Sequence, residues 1–283
     1  MPNNLLTAII SIAKFKNNDL NKYSSTYLNR INATGERLEF FIKDAISGSL
    51  KLKQDKKEAK HRKVFSYLGN QNNPPDMIVS KGDAFEIKKI ENPFSSLALN
   101  SSPPKDRLYT SDPRLTGACR NCEPWKEKDL FYAIGCSRKG FLKYLFFVHG
   151  LCYAAEKSIY QNVHEPLKKE ITSLLSSKNI EAGDTVELGK VRRVDPLGIT
   201  ELRIRGMWSI QNPIKAFSYV YRLDESKSFS LAALMTSKKY ASFPANDIKA
   251  LESNKSVKVE KVSVKSPNNP AIMLDSRLIR LVW

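Results

Sequence analysis

No apolar run in this 283-residue chain reaches the roughly 18 residues a membrane-spanning helix needs, and neither end carries a lipidation signal. Spanning and lipid-anchored classes are thereby set aside. The N-terminal MPNNLLTAIISIAKF has neither a basic segment before its apolar stretch nor a small-residue cleavage site after it. It is expected to be an amphipathic helix rather than a secretory leader. Cysteine is scarce, and four in a chain of this length make no disulfide framework, which fits a reducing, cytoplasmic setting. Of the three histidines, His61 and His164 have no evident partner in the sequence. There is no internal repeat and no long low-complexity tract. Acid is short: 29 Asp and Glu face 46 Lys and Arg, a net charge of +17. A surplus of that size predicts a polyanionic partner and, with membrane set aside, nucleic acid is favoured. With 41% hydrophobic residues the chain can bury a substantial core. One domain over 1–283 is expected, with residues from about 180 to 283 as a partly separate DNA-recognition lobe.

What is present centres on NPPDMIVSKGDAFEIKKIE, residues 73–91. Two apolar runs flank Lys81-Gly82-Asp83, so the segment predicts a β-hairpin with strands near 76–80 and 84–90. Strand side chains alternate faces, which points Glu86 and Lys88 the same way. A turn over 81–83 sets Ser80 against Ala84 and Asp76 against Lys88, with opposed side chains about 5 Å apart. Two carboxylates and one ammonium then converge. Hard cations such as Mg²⁺ take oxygen ligands of this type, and a lysine beside them can orient or deprotonate a water and offset developing charge. The bland alternative is that Asp76 closes the Asn-Pro-Pro turn while Glu86 and Lys88 form a solvated strand face.

Elsewhere, helical spacing is seen over 4–16 and, more strongly, from about Tyr27 to Ile46, with Gly48 placed as a C-cap. Residues 51–63 hold seven Lys or Arg against two acids. They suit a solvated helix face or a DNA-backbone contact. Asn92 to Thr116 reads as a long irregular loop leaving the candidate catalytic strand. Its Asn100, Ser101, Ser102, Lys105 and Arg107 suit hydrogen bonds to DNA. A second hairpin is expected from 129–136 and 141–149, a helix near 156–177, short strands over 185–222, and closing strands around 257–264 and 278–283. The fold class is α/β, a mixed central sheet flanked by helices.

The residues Pro75-Asp76, Glu86-Ile87-Lys88 and the preceding glutamate-bearing helix resemble the PD-(D/E)XK nucleases. More narrowly, the chain resembles the NgoPII-type restriction endonucleases. That likeness rests on GERLEFFIKD (35–44), residues 63–91, LALNSSPPK (97–105), CRNCEPWKEKD (119–129) and GKVRRVDPLGITELRIRGMW (189–208). The resemblance implies a restriction-endonuclease-like core and a homodimeric type II enzyme cutting double-stranded DNA with Mg²⁺. It further implies the palindrome GGCC as target and a companion methyltransferase. Asp76 and Glu86 are then metal ligands, joined by the Ile87 carbonyl, and Lys88 lies near the attacking water. An acid from the earlier helix is assigned to Glu39, with Glu36 as its rival.

Guanine in such a site is read chiefly by Arg or Lys. Arg107, Arg114, Arg192, Arg193, Arg203 and Arg205 are candidates, with phosphate contacts or surface ion pairs as the commoner role for each. Trp208 reads as a core residue rather than a wedge. Cys119 and Cys122 have zinc-like spacing without a recognisable second pair. Two other readings stand beside the restriction enzyme: a structure-selective repair nuclease of the same superfamily, and a non-catalytic nucleic-acid-binding protein.

Overall fold

The structure, a computed structural model, describes residues 3–23, 33–70 and 73–283. Helix α1 (Leu5–Phe15) is started by a capping box in which Asn4 and Thr7 satisfy each other's backbone N–H groups. Helix α2 (Ala33–Ser47) buries Leu38, Phe41, Ile42, Ala45 and Ile46, the stripe its spacing predicts. The expected start at Tyr27 lies outside the described residues. The basic run forms α3 (Gln54–Val64). One buried acid ties α3 to α2: Asp44 accepts from Lys57 and from Ser49 Oγ (2.9 Å), and His61 Nε2 lies 2.9 Å from it. Burial alone would raise the Asp44 pKa, but His61 and Lys57 more than reverse this and hold it below the usual carboxylate range. His61 thus has the partner that sequence reading did not supply.

Strands β1 (Phe65–Asn70), β2 (Asn73–Val79) and β3 (Ala84–Ile90) follow at once, and β6 (Glu127–Arg138) and β7 (Phe141–His149) form the second expected hairpin. The main sheet is completed by β11 (Ser230–Thr236), β12 (Val257–Lys265) and β13 (Met273–Val282). Its order is β1-β2-β3-β6-β7-β11-β13-β12, with β5 (Arg107–Tyr109) added to β6. The β3/β6 and β7/β11 pairs are parallel and the remaining neighbours antiparallel, so the sheet is mixed. Helices α1, α2, α8 (Ser237–Ala241) and α9 (Ala245–Glu252) cover one face, where Phe85 stacks on Phe131 at 5.7 Å and meets Phe147 edge-on. The other face is covered by loops and the short α4 (Gly117–Arg120), α5 (Gly150–Tyr153) and α7 (Pro213–Ala216). No helix among the described residues is long and apolar enough to cross a membrane.

One expectation needs correction. The stretch 92–116 is not structureless: β4 (Leu97–Asn100) pairs with β10 (Trp208–Ile210), and β5 joins the main sheet. Leu97, Leu99, Leu108 and Leu115 are buried, and that apolar anchorage is what orders the segment. Of the span 180–283, residues 230–282 supply three strands of the main sheet. The long helix α6 (Lys157–Ser177) and the small antiparallel pair β8 (Gly189–Val191) and β9 (Leu202–Ile204) stand apart from that sheet.

Candidate active site

The β2–β3 turn is one residue earlier than its composition suggests. Met77 pairs with Phe85 and Ile78 with Ala84, while Val79 N–H bonds to the Asp83 carbonyl at 3.0 Å. Asp76 is therefore at the level of Glu86, not of Lys88. The reason lies in Asp83, which the sequence reading placed in the turn. Its carboxylate is buried and accepts from Lys239 Nζ at 2.5 Å, which draws Asp83 into the strand base. The turn itself is clamped from below. Lys128 Nζ donates to the Gly82 carbonyl (2.8 Å) and pairs with Glu123, whose Oε2 accepts from Lys81 N–H at 2.9 Å.

The ladder stops at Met77–Phe85, and β3 continues alone along β6, from Ala84–Leu130 to Ile90–Cys136. In the gap between β2 and β3, Asp76 Oδ2 accepts the Ile87 N–H at 2.5 Å. A strand residue turns its N–H and C=O toward the same edge, so the Ile87 carbonyl also faces this gap. Glu86 and Lys88 share a face, as expected, with Lys88 Nζ 2.7 Å from Glu86 Oε1.

Acid outweighs base here. Burial, and after it the charge of Glu86, push the Asp76 pKa up to about 8; the Ile87 N–H and Lys88 oppose this, and Glu39 adds a smaller upward push. For Lys88, burial would lower the pKa, but Glu86 and Asp76 outweigh it and hold the ammonium charged. Glu39 reaches this field because α2 lies close on the sheet. A Cβ at Gly135 would sit 2.6 Å from a Leu38 methyl, so glycine there leaves room for the Leu38 side chain of α2. Glu39 itself pairs with Lys43 at 2.5 Å. Glycine matters again at Gly69, where a Cβ would meet the Pro75 carbonyl at 2.3 Å.

Among the described residues no group of three or more His, Cys, Asp or Glu side chains is gathered to hold a metal. The donors here are instead two carboxylates and one backbone carbonyl. All are hard oxygens, and the mutual repulsion that raises Asp76 is what a divalent cation relieves, so the set fits such an ion.

A cleft of about 680 Å³ opens beside the hairpin, with Lys105, Arg107 and Arg114 on one wall and residues of α6 on the other. A small recess containing Glu86 and Tyr132 shares Pro103 and Lys105 with it. Asn100, in a left-handed backbone conformation, Ser101 and Ser102 form the turn at the end of β4. Lys105 pairs with Asp112 (3.1 Å), and Arg107 with Glu127 (2.7 Å) and Asp129 (3.2 Å). Arg203 and Arg205 converge on Glu187 at 2.7 and 2.5 Å, while Arg193 lies 3.8 Å from Glu181 and Arg192 is exposed. Trp208 is half-buried, edge-on to Tyr160. Burial, and after it Cys122, push the Cys119 thiol up to about 12.

The positioning residues that sequence reading missed are Asp83, Glu123, Lys128 and Lys239. Their partners are up to 156 residues away in the chain, and no local signal announces such pairs.

The sequence model of the NgoPII restriction endonuclease family matches residues 3–265. The type II restriction enzyme NgoPII of Neisseria gonorrhoeae is 41% identical over 278 residues, which is 98% of each chain. No solved structure matches the chain.

Proposed function

The chain belongs to the NgoPII restriction endonuclease family, and from that premise we propose a Mg²⁺-dependent homodimer that cuts both strands of duplex DNA at GGCC. Sequence-specific cleavage of DNA is the activity of a type II restriction endonuclease. The observation that carries it is the excess of acid where β2 and β3 part, with a charged lysine on the same face.

Asp76, Glu86 and the Ile87 carbonyl would hold the cation. When bound, a divalent ion neutralises charge at the scissile phosphate and acidifies a water. Lys88, kept protonated by its neighbours, orients that water through N–H donation and offsets negative charge on the phosphate. Glu39, from α2, adds to the negative field that attracts the ion. Lys105 and Arg107 line the cleft, and Asn100, Ser101, Ser102 and the exposed lysines of α3 are assigned with them to the DNA backbone. Arg192, Arg193, Arg203 and Arg205 sit farther out, and ion pairing of three of them favours support over base reading. A two-fold dimer presents one such centre to each strand of a palindrome, and a companion methyltransferase protects host sites.

The test is a labelled duplex with a single GGCC. It should be cut in both strands with Mg²⁺ and stay whole with EDTA, and a duplex carrying GCGC should survive both. Equal cutting of the two duplexes defeats the assigned target. Cutting confined to branched or flapped DNA would favour a repair nuclease instead.

A further inference from the structure

Arg107, Arg193, Arg203 and Arg205 are engaged by carboxylates, whereas helix α6 holds polar side chains that nothing engages. Of its 21 residues only Leu175, near the far end, is buried. The helix is nonetheless pinned beside the cleft. The Tyr160 hydroxyl accepts from the Ala155 N–H at 2.9 Å, the Tyr160 and Trp208 rings meet edge-on at 5.5 Å, and Lys168 Nζ donates to the Thr185 carbonyl at 2.7 Å. Between these anchors Gln161, His164 and Glu165, spaced i, i+3 and i+4, share the helix face that lines the cleft. Their side chains make no hydrogen bond among the described residues. His164 Nδ1 and Glu165 Oε1 stand 3.7 Å apart, beyond that reach. On the facing wall Lys105 and Arg107 are held by carboxylates, but the Arg114 guanidinium has no ion pair among the described residues. Arg114 and His164 also line a second, small recess together, where the two walls meet.

We propose that α6 enters the major groove of bound DNA and that Gln161, His164 and Glu165, with Arg114 across the cleft, select the base sequence. Size is the first reason. A cleft of about 680 Å³ has small-molecule dimensions and takes in one edge of a strand, not a duplex. A helix about 10–12 Å across fits a major groove about 12 Å wide. One strand then runs between the walls, its phosphates toward Lys105 and Arg107 and its base edges toward α6. The chemistry of the wall is the second reason. Phosphates ask only for donors, whereas a G·C pair shows guanine O6 and N7 as acceptors and cytosine N4 as a donor, so a reader needs both kinds of group. Arg114 supplies paired donors for guanine and Glu165 an acceptor for cytosine, while Gln161 and His164 carry either. The recess that contains Glu86 shares Pro103 and Lys105 with the cleft, so the strand being read leads on to the cation site proposed above.

The inference rests on the DNA-cleaving reading above, and binding in EDTA tests it without cleavage. By fluorescence anisotropy, the ratio of affinities for GGCC and GCGC duplexes should fall roughly tenfold in Gln161→Ala and in Glu165→Ala, with unchanged circular dichroism. Lys105→Ala, a backbone contact, should weaken both duplexes alike and keep the ratio. An unchanged ratio in either α6 variant overturns the proposal. Should a variant fail to fold, the wild type decides. Replacing the guanines by 7-deazaguanine removes N7 from the major groove and should weaken wild-type binding roughly tenfold; equal binding overturns the proposal as well. A wild type that selects another sequence from a randomised duplex pool defeats GGCC alone, and the ratios are then taken against the selected sequence. One that selects no sequence overturns the inference. A wild type that prefers GGCC in EDTA but does not cut it with Mg²⁺ defeats the cleavage reading and leaves this base-reading face standing.

Discussion

The two ends of the β2–β3 hairpin both bury charge, and they balance it differently. At the turn end, Lys239 lies 2.5 Å from Asp83 and 3.0 Å from Asp129, and Lys128 answers Glu123. Each acid there has a cation. At the open end, Asp76, Glu86 and the more distant Glu39 share Lys88, and Asp76 is left with a pKa of about 8. A matched cluster fixes the chain in place. An unmatched one attracts positive charge, which is the property the proposed cation site would use.

Four experiments break or sharpen this contrast. The largest effect is expected from charge removal at each end. Asp76→Ala should lower cleavage by roughly a thousandfold or more, because metal and water positioning fail together, while calorimetry finds its unfolding temperature undiminished. Lys239→Met leaves the buried Asp83 carboxylate without its cation and should cost about 3–5 kcal/mol, seen as a clear fall in unfolding temperature. If both variants lose stability alike, the two ends are not different in kind.

The second test is pH. The folded-state pKa of Asp76, about 8, lies above its unfolded value of about 3.9, so the folded protein keeps a proton that the unfolded chain has lost. Without metal, the Asp76 contribution to stability is whole below that unfolded value. It falls as pH rises toward 8 and is gone above it. Saturating Mg²⁺ should flatten the decline, and Asp76→Asn should abolish it in calorimetric scans at stepped pH. A wild-type decline identical to that of the asparagine variant would remove Asp76 as its source.

Third, Gly135→Val forces Leu38 and α2 off the sheet, costing about 1–3 kcal/mol and moving Glu39 away. Cleavage assayed well below the melting point should fall more than tenfold. The smallest effect is expected from Glu39→Gln, a several-fold loss, with Glu36→Gln near wild type. The reverse order in steady-state rates would transfer the helix-acid role to Glu36.

Much of this was legible in the sequence because it is local. Period-2 and period-3.6 patterns give β2, β3, β6, β7, α1 and α6, and the alternation of Glu86 with Lys88 follows from strand geometry. The register did not follow. Lys81-Gly82-Asp83 has turn chemistry, and the strand pull on Asp83 comes from Lys239, far away in the chain. The ordering of 92–116 escaped for a similar reason, since Leu97 and Leu99 become a strand only against β10, more than a hundred residues later. The same applies to His61, whose partner Asp44 lies on the neighbouring helix.

One feature of β2 bears on how the open end came to be open. The strand begins with Asn73-Pro74-Pro75, and imino acids have no amide hydrogen to offer a neighbour. Continuing the ladder past Asp76 would set Ile87 against Pro75, which cannot donate, so zipping the hairpin further wins little. The mouth of the site is thereby kept ajar by composition rather than by strain, and a single imino-to-amino exchange at Pro75 would give the strands a reason to close it.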